Sequence, residues 1–310
     1  MSAPSEIQRR LTVVDVAKLH ADGLRIPMLT AYDALTAALV DEAGIPMVLV
    51  GDSVRGTLGL DSETRVTMAD MLHHTAAVVR GTRHALVVAD MPFLSYASTG
   101  EAVANAGRFV RDAGAGAVKL EGGVRSSRVT EAIVKAGIAV MGHIGLTPQA
   151  IGTLGRIRVQ GKSREQARAL LGDALAIQEA GAFAIVLELV PEQLAAAITE
   201  RLRIPTIGIG AGAGCSGQVQ VITDLLGFTE WHPKHARPYA DLRATILGAA
   251  RAYVADVEAG TFPGPEQTVR MDDGVLDDVL GRSPLDREAR SIDGVADRPA
   301  VGGIPLDRDL

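Results

Sequence analysis

Short apolar runs that end in a polar or charged residue recur along most of this chain. Residues 46–51 run into Asp52 and Ser53, for example, and residues 85–89 run into Asp90. Bounded apolar runs of this length are typical of strands buried in a parallel sheet. In a parallel barrel the carboxyl ends of all strands open on one face, and that face holds the active site. The polar residues at these ends, which we therefore predict to converge on one pocket, are Asp52, Ser53, Asp90, Lys119, Glu121, His143 and Glu188.

Helical patterns alternate with the apolar runs. The predicted strands are 27–31, 46–51, 85–90, 117–120, 138–142, 182–187 and 206–210, with a weaker eighth at 226–228. The predicted helices are 33–43, 67–80, 100–113, 126–135, 163–180, 191–201 and 240–259. Strands that alternate with helices favour a parallel sheet. About eight such units in about 260 residues favour a single (β/α)8 barrel of the TIM type, with an open doubly wound sheet as the alternative.

The composition changes near residue 264. Residues 1–264 are predicted to form the barrel, with long loops on its active face at 52–66 and 146–162, where lids and substrate clamps are usual. Residues 265–310 contain eleven Asp or Glu, six Arg and no aromatic residue. We interpret them as an acidic tail of low order, with a short transient helix at 275–280.

Composition also argues against several classes of protein. The formal net charge is −6 and no basic stripe is present, so no nucleic-acid partner is expected. No apolar stretch is long enough to span a membrane, and the first ten residues lack the apolar core of a signal peptide. A single cysteine, Cys215, suggests a reducing compartment. We expect a cytoplasmic enzyme that acts on small molecules.

Three of the carboxylates suggest a metal. Asp52, Asp90 and Glu121 end successive predicted strands, and their hard oxygen atoms suit Mg²⁺. Zinc is not expected, because the chain has no Cys cluster and no suitably spaced pair of His near the strand ends. Taken singly, Asp52 and Asp90 are equally compatible with an ordinary role in a turn.

The other strand-end residues have similar alternatives. Lys119 and Glu121 alternate along one strand and so share a face, either in a pocket or as a simple ion pair. His143 alone is more often a core histidine. Glu188 follows a buried apolar run, and a carboxylate whose only role is solubility is not expected at such a position. Glu188 is therefore the candidate general base. The joint pattern favours a site more strongly than any one residue does.

Seven segments stand in an order and spacing characteristic of one family. They are Gly-Asp-Ser at 51–53, Ala-Asp-Met-Pro-Phe at 89–93, Val-Lys-Leu-Glu-Gly-Gly at 118–123, Gly-His-Ile-Gly-Leu-Thr-Pro-Gln at 142–149, Val-Gln-Gly at 159–161, Leu-Glu-Leu-Val-Pro at 187–191 and Ile-Gly-Ile-Gly-Ala-Gly at 207–212. Together they resemble the ketopantoate hydroxymethyltransferase (3-methyl-2-oxobutanoate hydroxymethyltransferase) family over residues 10–264. The resemblance implies a (β/α)8 barrel that assembles as a homodecamer of two stacked pentameric rings.

The resemblance also implies a reaction, the first committed step of pantothenate biosynthesis. A hydroxymethyl group passes from 5,10-methylenetetrahydrofolate to 3-methyl-2-oxobutanoate, giving 2-dehydropantoate through a Mg²⁺-stabilised enolate. By this resemblance Asp52 and Asp90 bind Mg²⁺ directly and Glu121 binds it through water. Glu188 accepts the proton and His143 lies in the pocket. The residues expected to contact the oxo acid are Asp52, Ser53, Asp90 and Lys119.

Some positions depart from the family pattern, and rival functions remain open. Residues 54–57 read Val-Arg-Gly-Thr where an apolar stretch is usual, and Ser216 stands where Asp is usual. One rival is a Mg²⁺-dependent 2-oxo-acid C–C lyase or mutase of the isocitrate lyase type, although the Lys-Lys-Cys-Gly-His motif of that group is absent. The other is a catalytically silent scaffold.

Overall fold

Eight parallel strands form a closed barrel in chain order in the computed structural model, which describes residues 9–282. The strands are Ile26–Thr30 (β1), Met47–Val50 (β2), Leu86–Asp90 (β3), Ala117–Glu121 (β4), Val140–Gly145 (β5), Ala184–Glu188 (β6), Thr206–Ile209 (β7) and Gly217–Gln220 (β8). β1 pairs with both β2 and β8, which closes the sheet. The predicted (β/α)8 barrel is confirmed.

Helices separate most of the strands, as the alternating pattern predicted. They are Val13–Ala21 (α1), Ala34–Glu42 (α2), Met68–Gly81 (α3), Thr99–Arg111 (α4), Val124–Lys135 (α5), Ile151–Leu154 (α6), Arg164–Glu179 (α7), Glu192–Arg201 (α8), Ile222–Leu225 (α9), Leu242–Glu258 (α10) and Asp273–Leu280 (α11). No described helix is long and apolar enough to cross a membrane.

The position predicted for the eighth strand is wrong. β8 is Gly217–Gln220, and residues 226–228 follow helix α9 instead. Only Val219 of β8 places a large apolar side chain in the core, while its neighbour Gln218 is exposed. The strand therefore lacks the continuous apolar run by which the other strands are recognised in the sequence.

Alternate residues of each strand face the interior of the barrel. One buried cluster takes residues from all eight strands, including Met47, Leu49 and Met141, and α1 contributes Val16 to it. The intervening Val48 and Val50 belong to a second cluster, which lies between strands and helices. This period of two fixes which side chains point inward along every strand.

The described chain divides into two compact units, one ending at Thr245 and the other beginning at Ile246. The first contains the barrel. The second contains most of α10 and all of α11, which includes the short helix predicted at 275–280. The predicted domain boundary at 264 stays a prediction, and residues 283–310 of the predicted tail lie outside the described residues.

Asp41 of α2 holds the segment that enters β3. Its carboxylate accepts backbone N–H groups from Arg83 at 2.8 Å, His84 at 3.1 Å and Ala85 at 2.6 Å. Burial would raise the pKa of the Asp41 carboxyl, but these three donors outweigh it and lower the pKa below its ordinary value. The ionised carboxylate thus links α2 to the start of a barrel strand.

Replacing Asp41 with Ala should lower the free energy of unfolding by about 1–3 kcal/mol near neutral pH, because partly buried N–H donors lose their acceptor. A lowered pKa contributes stability above the unfolded-state pKa, and that stability is lost as the pH falls through the folded-state pKa. Urea denaturation should therefore show the difference from wild type shrinking as the pH falls below the unfolded-state pKa of about 3.9. The control Asp112→Ala removes an exposed carboxylate paired with Arg111 and should change the free energy by less than about 0.5 kcal/mol. Equal effects of the two substitutions at neutral pH would contradict this role.

Candidate active site

Charged residues occupy the inward-facing positions at the carboxyl ends of β3 to β6. Register places Asp90 opposite Lys119 and Glu121 opposite His143. Asp90, Lys119, His143 and Glu188 each lie two residues after an inward-facing apolar residue of their own strand, and Glu121 lies two residues after Lys119. Their side chains therefore converge at the mouth of the barrel, as the strand ends predicted.

A buried ion pair lies at the centre of the mouth. Lys119 Nζ is 2.8 Å from Asp90 Oδ2, and the two side chains are only 5% and 1% exposed. Burial alone would lower the pKa of Lys119, but the carboxylates of Asp90, Asp52 and Glu121 raise it above its ordinary value. Lys119 is therefore charged, and its salt bridge runs to Asp90 rather than to Glu121, so the simple ion pair within one strand is not the arrangement found.

His143 lies between two carboxylates. Its Nδ1 is 3.4 Å from Glu121 Oε1, and its Nε2 is 3.2 Å from Glu188 Oε2. Both contacts are ion pairs by distance without hydrogen-bond alignment, and Lys119 Nζ lies 3.4 Å from Nδ1, where its charge repels that of a protonated ring. Burial and Lys119 would lower the pKa of His143, but Glu121 and Glu188 outweigh them and raise it to about 9. The imidazole is thus protonated at neutral pH and joins β4, β5 and β6.

Gln149, in the long loop after β5, ties together groups that are far apart in the chain. Its side-chain Nε2 donates to Asp52 Oδ2 at 2.9 Å and to the carbonyl oxygen of Met91 at 3.0 Å. Its backbone N–H donates to Glu121 Oε2 at 3.1 Å. Tyr96 completes the set by donating its hydroxyl to Gln149 Oε1 at 2.6 Å. One residue therefore fixes the positions of two site carboxylates.

Ser53 follows Asp52 in a short 3₁₀ helix, Asp52–Gly56. Its hydroxyl oxygen is 2.8 Å from the hydroxyl of Tyr32, which lies two residues beyond β1. Burial is the main cause that raises the pKa of Tyr32 to about 12, so the phenol stays protonated. The contact between Ser53 and Tyr32 therefore places the segment that follows β1 at the same mouth of the barrel.

Tyr32, Tyr96 and Gln149 were not predicted as site residues. The rule that found the others, a polar residue just beyond a strand, also applies to Tyr32 after β1. Gln149 lies within the family-like segment 142–149, but no spacing rule distinguishes it inside a long loop. Tyr96 also lies in a loop, where position relative to a strand carries little information.

The backbone around Glu188 is tightly constrained. Leu189 adopts a left-handed conformation with φ of 47°, which is uncommon for a residue with a branched side chain. Its N–H donates to the carbonyl oxygen of Ile209 at 2.9 Å, and its own carbonyl oxygen accepts from Gln160 N–H at 2.8 Å. Across the pair of strands, Gly145 has φ of 94°, and a Cβ atom there would clash with the carbonyl oxygen of Glu188. These contacts set the position of the Glu188 carboxylate.

The electrostatics of the mouth fit a bound cation. Asp90 Oδ1 is buried and has no hydrogen-bond partner among residues 9–282. Burial and the neighbouring Asp90 raise the pKa of Asp52 well above its ordinary value, and burial raises the pKa of Asp90 despite Lys119. Both shifts report carboxylates that lack sufficient positive charge, which a divalent cation would supply.

The donor set restricts how such a cation is held. Within residues 9–282, no three His, Cys, Asp or Glu side chains are arranged to hold a metal ion by themselves. Asp52 and Asp90 are the available direct ligands, since both oxygens of Glu121 are already engaged by Gln149 and His143. Two carboxylates with the remaining positions left to water or substrate oxygens are a usual arrangement for Mg²⁺.

Comparison with known families identifies the chain's relatives. The profile of the ketopantoate hydroxymethyltransferase family matches residues 10–265. The chain belongs to this family. The match spans the whole barrel and every strand-end residue described above.

Individual relatives agree with this membership. The chain is 59% identical over 274 residues to the 3-methyl-2-oxobutanoate hydroxymethyltransferase of Chloroflexus aggregans, covering 88% of this chain and 98% of the relative. It is 53% identical over 264 residues to the enzyme of the same name from Gluconacetobacter diazotrophicus, covering 84% and 95%. Among solved structures, the phosphoenolpyruvate phosphomutase of Streptomyces platensis subsp. rosaceus superposes with a TM-score of 0.56 over 92% of this chain and 99% of the other, at 17% identity. An identity this low shows a shared fold alone.

The positions that depart from the family pattern have local partners. Arg55 places Nε 2.5 Å from Glu63 Oε1, so its charge is paired within the same loop. The N–H of Ser216 donates to Thr206 Oγ1 at 3.1 Å, and Ser216 Oγ accepts the N–H of Thr206 at 3.2 Å. Cys215, the only cysteine, is fully buried in an apolar cluster and offers no exposed nucleophile for the lyase alternative.

The raised pKa of His143 can be measured directly. In protein freed of divalent cations with EDTA, the ¹⁵N-histidine resonances assigned to His143 by comparison with His143→Gln should report a protonated ring at pH 7.5 and deprotonation near the value of about 9. The stability that this charge contributes is fully present below the unfolded pKa of about 6.5 and is lost as the pH rises through about 9. Titration at or below about 6.5 would show that the two carboxylates do not hold the proton.

Proposed function

We propose that this chain is a 3-methyl-2-oxobutanoate hydroxymethyltransferase. In this reaction 5,10-methylenetetrahydrofolate donates a one-carbon group to 3-methyl-2-oxobutanoate, and the product is 2-dehydropantoate, a precursor of pantothenate. The family membership and the names of the relatives support the activity. The observation that carries the proposal is the pair of uncompensated buried carboxylates, Asp52 and Asp90, beside a charged lysine.

Asp52 and Asp90 would hold one Mg²⁺, and Glu121 would reach it through water. A magnesium ion there would attract electrons from the carbonyl of the oxo acid and acidify the neighbouring C–H bond. Lys119, charged and held by Asp90, lies where it can offset negative charge on the substrate's oxygens. The hydroxyl of Ser53, positioned by Tyr32, is available to the substrate's carboxylate.

Glu188 is the proposed proton acceptor. Its carboxylate is held beside the protonated His143 at the mouth, and its backbone is fixed by Gly145 and Leu189. It takes the proton from C3 of the oxo acid, and the resulting enolate carbon bonds to the methylene carbon as one of that carbon's two bonds to folate nitrogens breaks. Water then replaces the second nitrogen and supplies the hydroxyl group of the product. Tetrahydrofolate leaves with two new N–H bonds, one proton coming from C3 by way of Glu188 and the other from water.

The resemblance further implies that copies of the chain assemble as a homodecamer, and the composition of the chain led us to expect a cytoplasmic enzyme. Both statements stay predictions.

Glu188→Gln should reduce exchange of the C3 hydrogen of 3-methyl-2-oxobutanoate with deuterated solvent by about 100-fold or more, because the amide cannot accept the proton. Proton NMR follows the exchange without any folate, and calorimetry should show oxo-acid binding largely retained. The control Glu200→Gln alters an exposed glutamate of α8 and should exchange at the wild-type rate. Undiminished exchange in Glu188→Gln would exclude this residue as the base.

Chelation by EDTA should abolish both exchange and transfer, and added Mg²⁺ should restore them. Asp52→Asn should weaken Mg²⁺ binding, measured calorimetrically with the oxo acid present, by about tenfold or more because one charged ligand is lost. Asp61→Asn, an exposed position in the same loop, is the control and should bind Mg²⁺ as wild type does. Full activity in EDTA would rule out the metal-dependent route.

A further inference from the structure

A cavity of about 430 Å³ opens beside the buried charges, and the roles assigned so far do not use it. Glu121 and Gln149, both part of the site described above, contribute to its wall. Its apolar wall is formed mainly by Phe93, Leu94, Tyr96 and Val129. A cavity of this size and character suits a small organic ligand. Because it shares two residues with the charged mouth, such a ligand would lie next to the oxo acid.

Two apolar side chains at this cavity are unusually exposed. Phe93 is 42% and Leu94 is 64% exposed, although both line a concave surface. Leu94 also has φ of 64°, a left-handed conformation rarely adopted by leucine. Non-glycine residues in this region of backbone space are concentrated at functional sites. A flat apolar ligand in the cavity would cover both side chains.

One cation at the cavity lacks a partner. Arg125, in the first turn of α5, lines the cavity, is exposed, and makes no ion pair within residues 9–282. Its side chain lies against the chain that leaves β4, since a Cβ atom built at Gly122 would come within 2.9 Å of Arg125 Nε. An unpaired guanidinium beside an apolar cavity is suited to a ligand that carries a carboxylate, which Arg binds through paired hydrogen bonds.

The occupant therefore combines a flat ring with an acidic tail. We propose that this cavity binds the one-carbon donor, with the reduced pterin ring between the apolar walls and the carboxylates of the glutamate tail on Arg125. The assignment rests on the proposed function, from which the identity of the donor comes. The shared wall of Glu121 and Gln149 brings the methylene carbon toward the oxo acid.

Arg125→Gln tests the tail contact. It should raise the KM for 5,10-methylenetetrahydrofolate and the calorimetric Kd for tetrahydrofolate by about tenfold, the effect of losing one charge-assisted contact. The Kd for a tetrahydropterin without the glutamate tail should stay at the wild-type value. Arg128→Gln, an exposed arginine on α5 that does not line the cavity, is the matched control. It should change none of these quantities.

Ala97→Trp tests the ring position, because Ala97 lines the cavity and a larger side chain would fill it. We expect kcat/KM for the donor to fall by about 100-fold or more, since a misplaced reactant loses the advantage of proximity. Ala104→Trp, at an exposed position of α4, is the control for the added bulk. Both cavity variants should keep the wild-type rate of folate-independent exchange at C3 of the oxo acid.

The exchange assay separates this inference from the proposed function. Wild-type kinetics and donor affinity in both cavity variants would place the donor elsewhere and leave the activity intact. Loss of exchange in Arg125→Gln would make the cavity part of the oxo-acid site and overturn the assignment. Wild-type protein that neither exchanges nor transfers would overturn the proposed function itself, and this assignment with it.

Discussion

An excess of buried negative charge at the barrel mouth is the constraint on which the site depends. Among residues 9–282, the ion pairs of Asp90, Glu121 and Glu188 run to two cationic groups, Lys119 and His143, and Asp52 has no ion pair. Buried charges are costly unless they are paired and hydrogen-bonded. The pairs of Lys119 with Asp90 and of His143 with its two glutamates remove part of this cost. The remaining cost is concentrated at Asp52 and at Asp90 Oδ1, which has no hydrogen-bond partner among residues 9–282. On the proposed function, a cation and the oxo acid would offset it.

The two-residue periodicity of the strands places both the core side chains and the charged side chains of the site. The spacing of two that directs Leu86 and Val88 into the barrel interior also directs Asp90 into its mouth. The same relation connects Ala117 with Lys119 in β4. Packing of the interior therefore determines the geometry of the charged groups, because each of these side chains extends from a strand whose inner face is already fixed by its neighbours.

Loops supply the contacts that strands cannot. Gln149 reaches across the mouth to Asp52 and Glu121, and Tyr96 holds the other end of its amide. Near these groups, Leu94 and Leu189 hold uncommon left-handed conformations. On the proposed assignment the charged side of the mouth takes the oxo acid and the adjoining apolar cavity takes the donor. Gln149 and Glu121 form the boundary between the oxo-acid region and the donor cavity. The loop after β5, which carries Gln149, would therefore contact both substrates.

The sequence by itself determined the barrel and most of the residues at its mouth, because buried strands and their ends are local features of the chain. It misplaced β8, because Gly217–Gln220 alternates polar with apolar residues and lacks a buried run. It could not identify Gln149, whose importance lies in partners 97 and 28 residues away. Only the tertiary structure decided that Lys119 pairs with Asp90 rather than with Glu121 of its own strand. That choice is set by the register between β3 and β4, which depends on how the whole barrel closes and not on any short segment.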